Sequence, residues 1–164
     1  MPSCMSRQHL KRFENQTGTR PRKWVNSNST LNLDTLLGTE HKHATFHDSE
    51  LESLSIDFSF NCAKFQFLIP CGFEPENELS YLRGTLEFKE LLFYFVEPSI
   101  YKPDANDKPS LWITSDGSLP DKKLDLTIEL PNDLPENAFA HYLYSSTTNS
   151  FIVVAAMHAA FHWH

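Results

Sequence analysis

Apolar and polar residues alternate most regularly between Leu54 and Ile69. Leu54, Ile56, Phe58 and Phe60 fall on one side of a period-two pattern, and Ser53, Ser55, Asp57 and Ser59 on the other, as in a strand with one buried face. Ala63, Phe65, Phe67 and Ile69 repeat the pattern against Lys64, Gln66 and Leu68. The Asn61-Cys62 pair between the two runs predicts a hairpin with a two-residue connection. Pro70 to Asn77, punctuated by proline and glycine, predicts a loop.

Alternation resumes at Tyr81 to Phe88, with Leu82, Leu86 and Phe88 on the buried side, then changes phase at Lys89-Glu90 before Leu91, Phe93 and Phe95. A bulge or kink inside one long element accounts for the change. Pro98 to Pro109 predicts a surface loop, and Leu111 and Ile113 a short strand that leaves through an Asp116-Gly117 turn. Lys123 to Leu130 alternates again, with Leu124, Leu126, Ile128 and Leu130 inward. Ala138–Tyr144 and Phe151–His164 form a final pair around the loop Ser145 to Ser150. Alanine richness leaves helix open for Val154 to His162, but Phe151-Ile152-Val153-Val154 favours strand.

The predicted fold is therefore mainly β: an antiparallel sandwich or strongly curved sheet of about seven or eight strands with minor helix. It occupies residues 45–164 as a single domain, which holds all but one of the chain's 13 Phe and can fill a core without disulfide or metal. Residues 1–44 lack periodicity and predict a basic, mostly disordered leader, with short helical turns near Ser6–Phe13 and Leu33–Leu37, the second ended by Gly38.

Charge divides along the same boundary. Residues 1–40 hold six basic and three acidic groups, whereas the remainder holds eight and eighteen, a balance of −10 within a chain total of −7. Such a surface disfavours nucleic acid and favours a basic protein partner. Three cysteines cannot all pair, and Cys62 and Cys71 sit at opposite ends of the second predicted strand, about 30 Å apart. The N-terminal MPSCMSRQHLKRFENQ has no apolar signal-like core, and the longest apolar run, Phe151 to Phe161, is too short to span a bilayer. Together these features predict a reduced, cytoplasmic setting without membrane attachment, and they leave the oligomeric state open.

Two groups of residues could carry chemistry. His47-Asp48 offers a neutral-pH base or ligand beside a carboxylate, although neighbours on an extended chain point to opposite faces and meet only if the backbone turns. The structural alternative is that Asp48 or Ser49 hydrogen-bonds the start of the first strand, with Ser49 and Glu52 spaced like a capping box and His47 packed beside Phe46. On a C-terminal strand His158, His162 and His164 share one face, and His162 and His164 lie about 7 Å apart, close enough to share a cation. A divalent metal would need His47 and Asp48 to join His162 and His164 across the sheet; otherwise the histidines decorate a polar outer face and no cofactor is required. Tyr81, Phe93, Tyr94 and Phe95 could line a pocket or an interface, but a core placement explains them with less.

Phe46-His47-Asp48-Ser49-Glu50-Leu51, followed by Leu54-Ser55-Ile56-Asp57, resembles the opening of a loose group of small, uncharacterised bacterial β-rich proteins. Some of these look like immunity proteins of polymorphic toxin systems. They also end on a strand bearing an aromatic residue and His, as Phe161-His162-Trp163-His164 does here. The resemblance brings no catalytic residues and implies a non-enzymatic, cytoplasmic protein-binding module whose acidic surface meets a basic partner. The alternatives are a metal-binding or small hydrolytic enzyme built on His47, Asp48, His162 and His164, and a small-ligand binder.

Overall fold

A computed structural model describes residues 31–73, 79–98, 111–119, 131 and 134–164. They form a 3-10 turn, Leu33–Leu37, and seven strands: β1 (Ser49–Asp57), β2 (Cys62–Phe73), β3 (Leu79–Val96), β4 (Leu111–Ile113), β5 (Ser115–Ser118), β6 (Phe139–Ser145) and β7 (Ser150–Trp163). All pair antiparallel in one sheet of order β4-β1-β2-β3-β7-β6-β5, curled strongly into a half-barrel. Of the two predicted architectures the curved sheet is adopted and the sandwich is not. The loop expected at 98–109, apart from Pro98, and the strand expected at 123–130 lie outside the described residues, as do residues 1–30. No helix among the described residues is long and apolar enough to cross a membrane.

The curl brings the two ends of the sheet together through one short segment. β4 pairs with β1 and β5 with β6, yet only Thr114 separates β4 from β5. The Thr114 N–H donates to the Tyr144 carbonyl at 2.9 Å, and its Oγ1 accepts from the Ser146 N–H at 3.1 Å. Asp116-Gly117, expected as a turn, therefore lies inside β5, opposite Leu143 and Tyr142. Glycine is required there because the Tyr142 ring fills its side-chain space, 2.9 Å from where a Cβ would stand.

Alternation places the inner face as expected in β2, where Ala63, Phe65, Phe67 and Ile69 are all buried. Leu86, Phe88, Leu91, Ile152, Val154 and Ala156 continue this cluster across β3 and β7, with Phe46, Leu33 and Leu37 packed on it. Phe46 stands edge-on to Phe67 at 5.1 Å and to Phe161 at 5.7 Å. Residues 31–44, assigned to the leader from composition, thus include part of the core. The Leu33–Leu37 turn forms where expected, with Asn32 Oδ1 accepting from the Asp34 N–H and Gly38 at φ 77° behind it. Trp163 Nε1 donates to the Leu37 carbonyl at 3.0 Å and ties the turn to the end of β7.

A second cluster lies on the opposite face of β6 and β7, where Ala140, Tyr142, Val153 and Ala155 meet Leu119, with Phe93, Phe95 and Leu134 against them. Burial on both sides explains the run Ile152 to Ala156, whose lack of alternation left strand and helix open in the sequence. The phase change expected at Lys89-Glu90 is present. Glu90 takes φ 52°, and the β3–β7 register shifts between Leu91 and Phe93, which moves β3 side chains from the first cluster to the second.

Two boundaries differ from expectation. β2 runs on through Pro70 to Phe73, because a register shift and Gly72 at φ 97° make an irregular stretch where proline's missing N–H is tolerated. The first hairpin turns at Phe58 to Asn61 rather than at Asn61-Cys62. Asp57 Oδ1 accepts from the N–H groups of Ser59 at 2.8 Å and Phe60 at 3.2 Å, and Asn61 takes φ 50°, so the strand ends at Asp57 while the alternation runs on to Phe60.

Candidate functional site

The shifted turn changes the role of two aromatic residues. Phe58 and Phe60, expected on the buried side of a strand, are 76% and 80% exposed at the hairpin tip. The tip is nevertheless well fixed, by the Asp57 carboxylate on one side and by the Leu91 N–H donating to the Asn61 carbonyl on the other, at 2.9 Å. Tyr94 lies 6.3 Å from the Phe58 ring and is exposed along with Leu92 and Val96. Tyr94 and Tyr81, both expected in the core, stand at the surface, while Phe93 and Phe95 are half-buried.

Beside the tip lies an open cleft of about 980 Å³, lined by Ile56, Asp57, Phe58, Phe60 and Cys62 on the hairpin and by Glu87, Lys89, Glu90 and His158 across it. Glu87 holds Lys89 at 3.1 Å and Lys64 at 3.4 Å. The hydrogen bond from Lys89, opposed by desolvation and helped by Lys64, holds the Glu87 carboxyl below the usual carboxylate range. A carboxyl depressed in the folded state adds stability above its unfolded pKa and loses it as pH falls through the folded value. In Lys89→Ala, the Glu87 carboxyl is therefore expected to titrate higher by 13C NMR, and the stability deficit of the variant to shrink as the solution is acidified. An unchanged Glu87 titration would contradict this pairing.

The predicted metal ligands do not assemble. Among the described residues, no three His, Cys, Asp or Glu side chains gather closely enough to hold a metal ion, so His47, Asp48, His162 and His164 form no common site. His47 and Asp48 do meet, Nδ1 to Oδ2 at 3.0 Å, because Asp48 takes φ 64° and the backbone turns there, but both are exposed. The neighbouring groups anchor β1: Asp48 N–H donates to the Ile113 carbonyl at 2.8 Å, and the buried Ser49 hydroxyl to the Phe46 carbonyl at 2.6 Å. Ser49 and Glu52 make no capping box, since both lie in a strand; Glu52 instead takes two nitrogens of Arg83. His162 pairs opposite Thr85, His164 Nε2 lies 2.9 Å from Thr85 Oγ1, and His158 lies 3.5 Å from Glu90. Cys62 and Cys71 are both free, and burial pushes the Cys71 thiol up.

A His-Asp pair that sequence reasoning missed lies at the other end of the sheet. His141 on β6 is 3% exposed and holds Asp116 on β5, Nε2 to Oδ2 at 2.9 Å. Ser118 stands directly opposite His141, but its hydroxyl donates to the Leu31 carbonyl at 2.9 Å, and His141 Nδ1 has no partner among the described residues. A Ser-His-Asp relay, which needs the hydroxyl on the imidazole, is thus not made. The only sequence signal was the polar Asp116 and His141 at inward-facing positions, and it becomes readable only once β5 is known to pair with β6. In comparisons with known proteins, no family model, no curated protein and no solved structure matches the chain.

Proposed function

We propose that this protein is a protein-binding module that engages a basic partner through the tip of the β1–β2 hairpin. The observation that carries this reading is the pair Phe58 and Phe60, largely exposed on a turn that hydrogen bonds hold in place. Isolated exposed apolar residues are common, but two adjacent aromatic prongs with Tyr94, Leu92 and Val96 close by make a patch whose burial by a partner is favourable. A fixed turn also lowers the ordering cost on binding. The chain's net charge of −7, with Asp57 and Glu90 in the cleft beside the tip and its two lysines, Lys64 and Lys89, paired to Glu87, favours a basic partner. A binding role is also what the resemblance of Phe46 to Asp57 to a loose group of β-rich proteins, some of them immunity-like, would imply.

A photocrosslinking amino acid at position 60, introduced in the source cells, is expected to trap one basic protein in a complex that weakens as salt rises. The same group at position 40, away from the cleft, is expected to trap none of it. Equal trapping from both positions, or trapping of many unrelated proteins, would overturn the assignment of the tip.

A further inference from the structure

The missed His141-Asp116 pair borders a second cavity, of about 330 Å³, between the Leu33–Leu37 turn and β5 and β6. Among the described residues its walls are Leu31, Asn32, Asp34, Asp116, Gly117, Ser118 and His141, so two carboxylates and no lysine or arginine of that set face it. The Asp34 oxygens each accept one hydrogen bond, from the Phe46 N–H at 2.9 Å and the Thr45 hydroxyl at 3.1 Å, which fixes the carboxylate without neutralising it. Asp116 accepts only from His141 among the described residues. The imidazole meets the Asp116 carboxylate at Nε2, so Nε2 carries a proton, and in the neutral tautomer of the ring Nδ1 is left as an acceptor. That Nδ1 is buried and has no hydrogen-bond partner among the described residues. Buried polar atoms are nearly always satisfied, and the described part of the cavity wall is rich in acceptors and short of positive N–H donors.

We propose that this cavity binds a protonated amine or guanidinium group. Its positive charge offsets Asp34 and Asp116, and its several N–H donors match the remaining acceptors of the wall. The group could belong to a free small molecule or to a lysine or arginine side chain, and the two sources are separable by experiment.

The test is an NMR titration of the full chain with methylguanidinium and methylammonium, with the peptides Gly-Arg-Gly and Gly-Lys-Gly, and with tetramethylammonium as a cation lacking N–H donors. Saturable shifts of the His141 ring nitrogens and of the Asn32, Asp34 and Asp116 signals are expected with at least one donor-bearing probe. Asp116→Asn and Asp34→Asn, each checked for an unchanged fold, are expected to weaken binding about tenfold, the usual effect of removing one charge-assisted hydrogen bond. Saturation by the small cations alone identifies a free ligand, and saturation by the peptides identifies a side chain presented by another protein. No saturable shift, equal shifts with tetramethylammonium, or unaltered binding in both variants would overturn the proposal. Because the hairpin tip is not involved, these outcomes are independent of the partner-binding reading.

Discussion

Phe46→Ala is expected to lower the free energy of unfolding by about 3–5 kcal/mol, the usual range for emptying a buried phenylalanine site. The melting temperature is expected to fall on the order of 10–20 °C. Phe46 is completely buried, and its ring is the point where the segment before β1 meets β2 and β7, through Phe67 and Phe161. Its backbone is held as well, by Asp34 Oδ1 at the N–H and the Ser49 hydroxyl at the carbonyl. The cavity left behind cannot collapse easily, because these bonds keep the backbone from following the lost ring. His47→Ala, one residue on, removes an exposed side chain and is expected to cost less than about 0.5 kcal/mol. Denaturant unfolding of the two variants makes the comparison. Equal losses would contradict the placement of Phe46 in the core and of His47 at the surface.

Gly84→Ala is expected to destabilise by about 1–3 kcal/mol, as overpacking of a well-filled core does. The sign is informative. Where the new methyl group has room, replacing glycine by alanine stabilises by about 0.4–1 kcal/mol through the unfolded chain. Here a Cβ would stand 2.1 Å from Phe161 Cζ and 3.0 Å from the His162 carbonyl oxygen. Phe161 has little freedom to move away, since it packs on Phe46 on one side and on Trp163, at 4.8 Å, on the other. Chemical denaturation of Gly84→Ala alone and with Phe161→Leu tests the cause. The smaller side chain is expected to recover part of the loss, giving a favourable coupling between the two sites. Stabilisation by Gly84→Ala in the native background would show that the ring does not sit where it is placed.

The same local chemistry explains what could be read from the sequence and what could not. β2 was legible residue by residue because it is covered on one face only, so burial and alternation coincide from Ala63 to Ile69. β7 was legible as a hairpin partner, but its doubly buried middle hid the strand pattern behind alanines. The start of β1 was hidden by a register shift between Leu51 and Ser53, which lets Leu51 and Leu54 share the inner side although they are three residues apart. The hairpin tip was misread because Phe58 and Phe60 continue the alternation, while the Asp57 carboxylate that ends the strand leaves no mark on hydrophobic periodicity.

Site residues followed the same rule. His47-Asp48 was visible because its members are adjacent in sequence, and it lies exposed at the start of β1. His141 is buried against Asp116, yet the two are 25 residues apart and meet only because β5 pairs with β6. Asp116-Gly117 carried the local signature of a turn, and only the Tyr142 ring packed over Gly117 shows why glycine is needed within a strand.

The most direct test of the hairpin tip as a binding surface is to measure stability and partner affinity together in a Phe58→Ser/Phe60→Ser variant, using the protein trapped at position 60. Because both side chains are largely exposed, the expected result is a melting temperature close to that of the native chain and a loss of affinity of about thirtyfold or more, the scale of removing an aromatic hot spot. Unchanged affinity at unchanged stability would contradict the role assigned to the tip, and a large loss of stability would contradict the exposure from which that role was inferred.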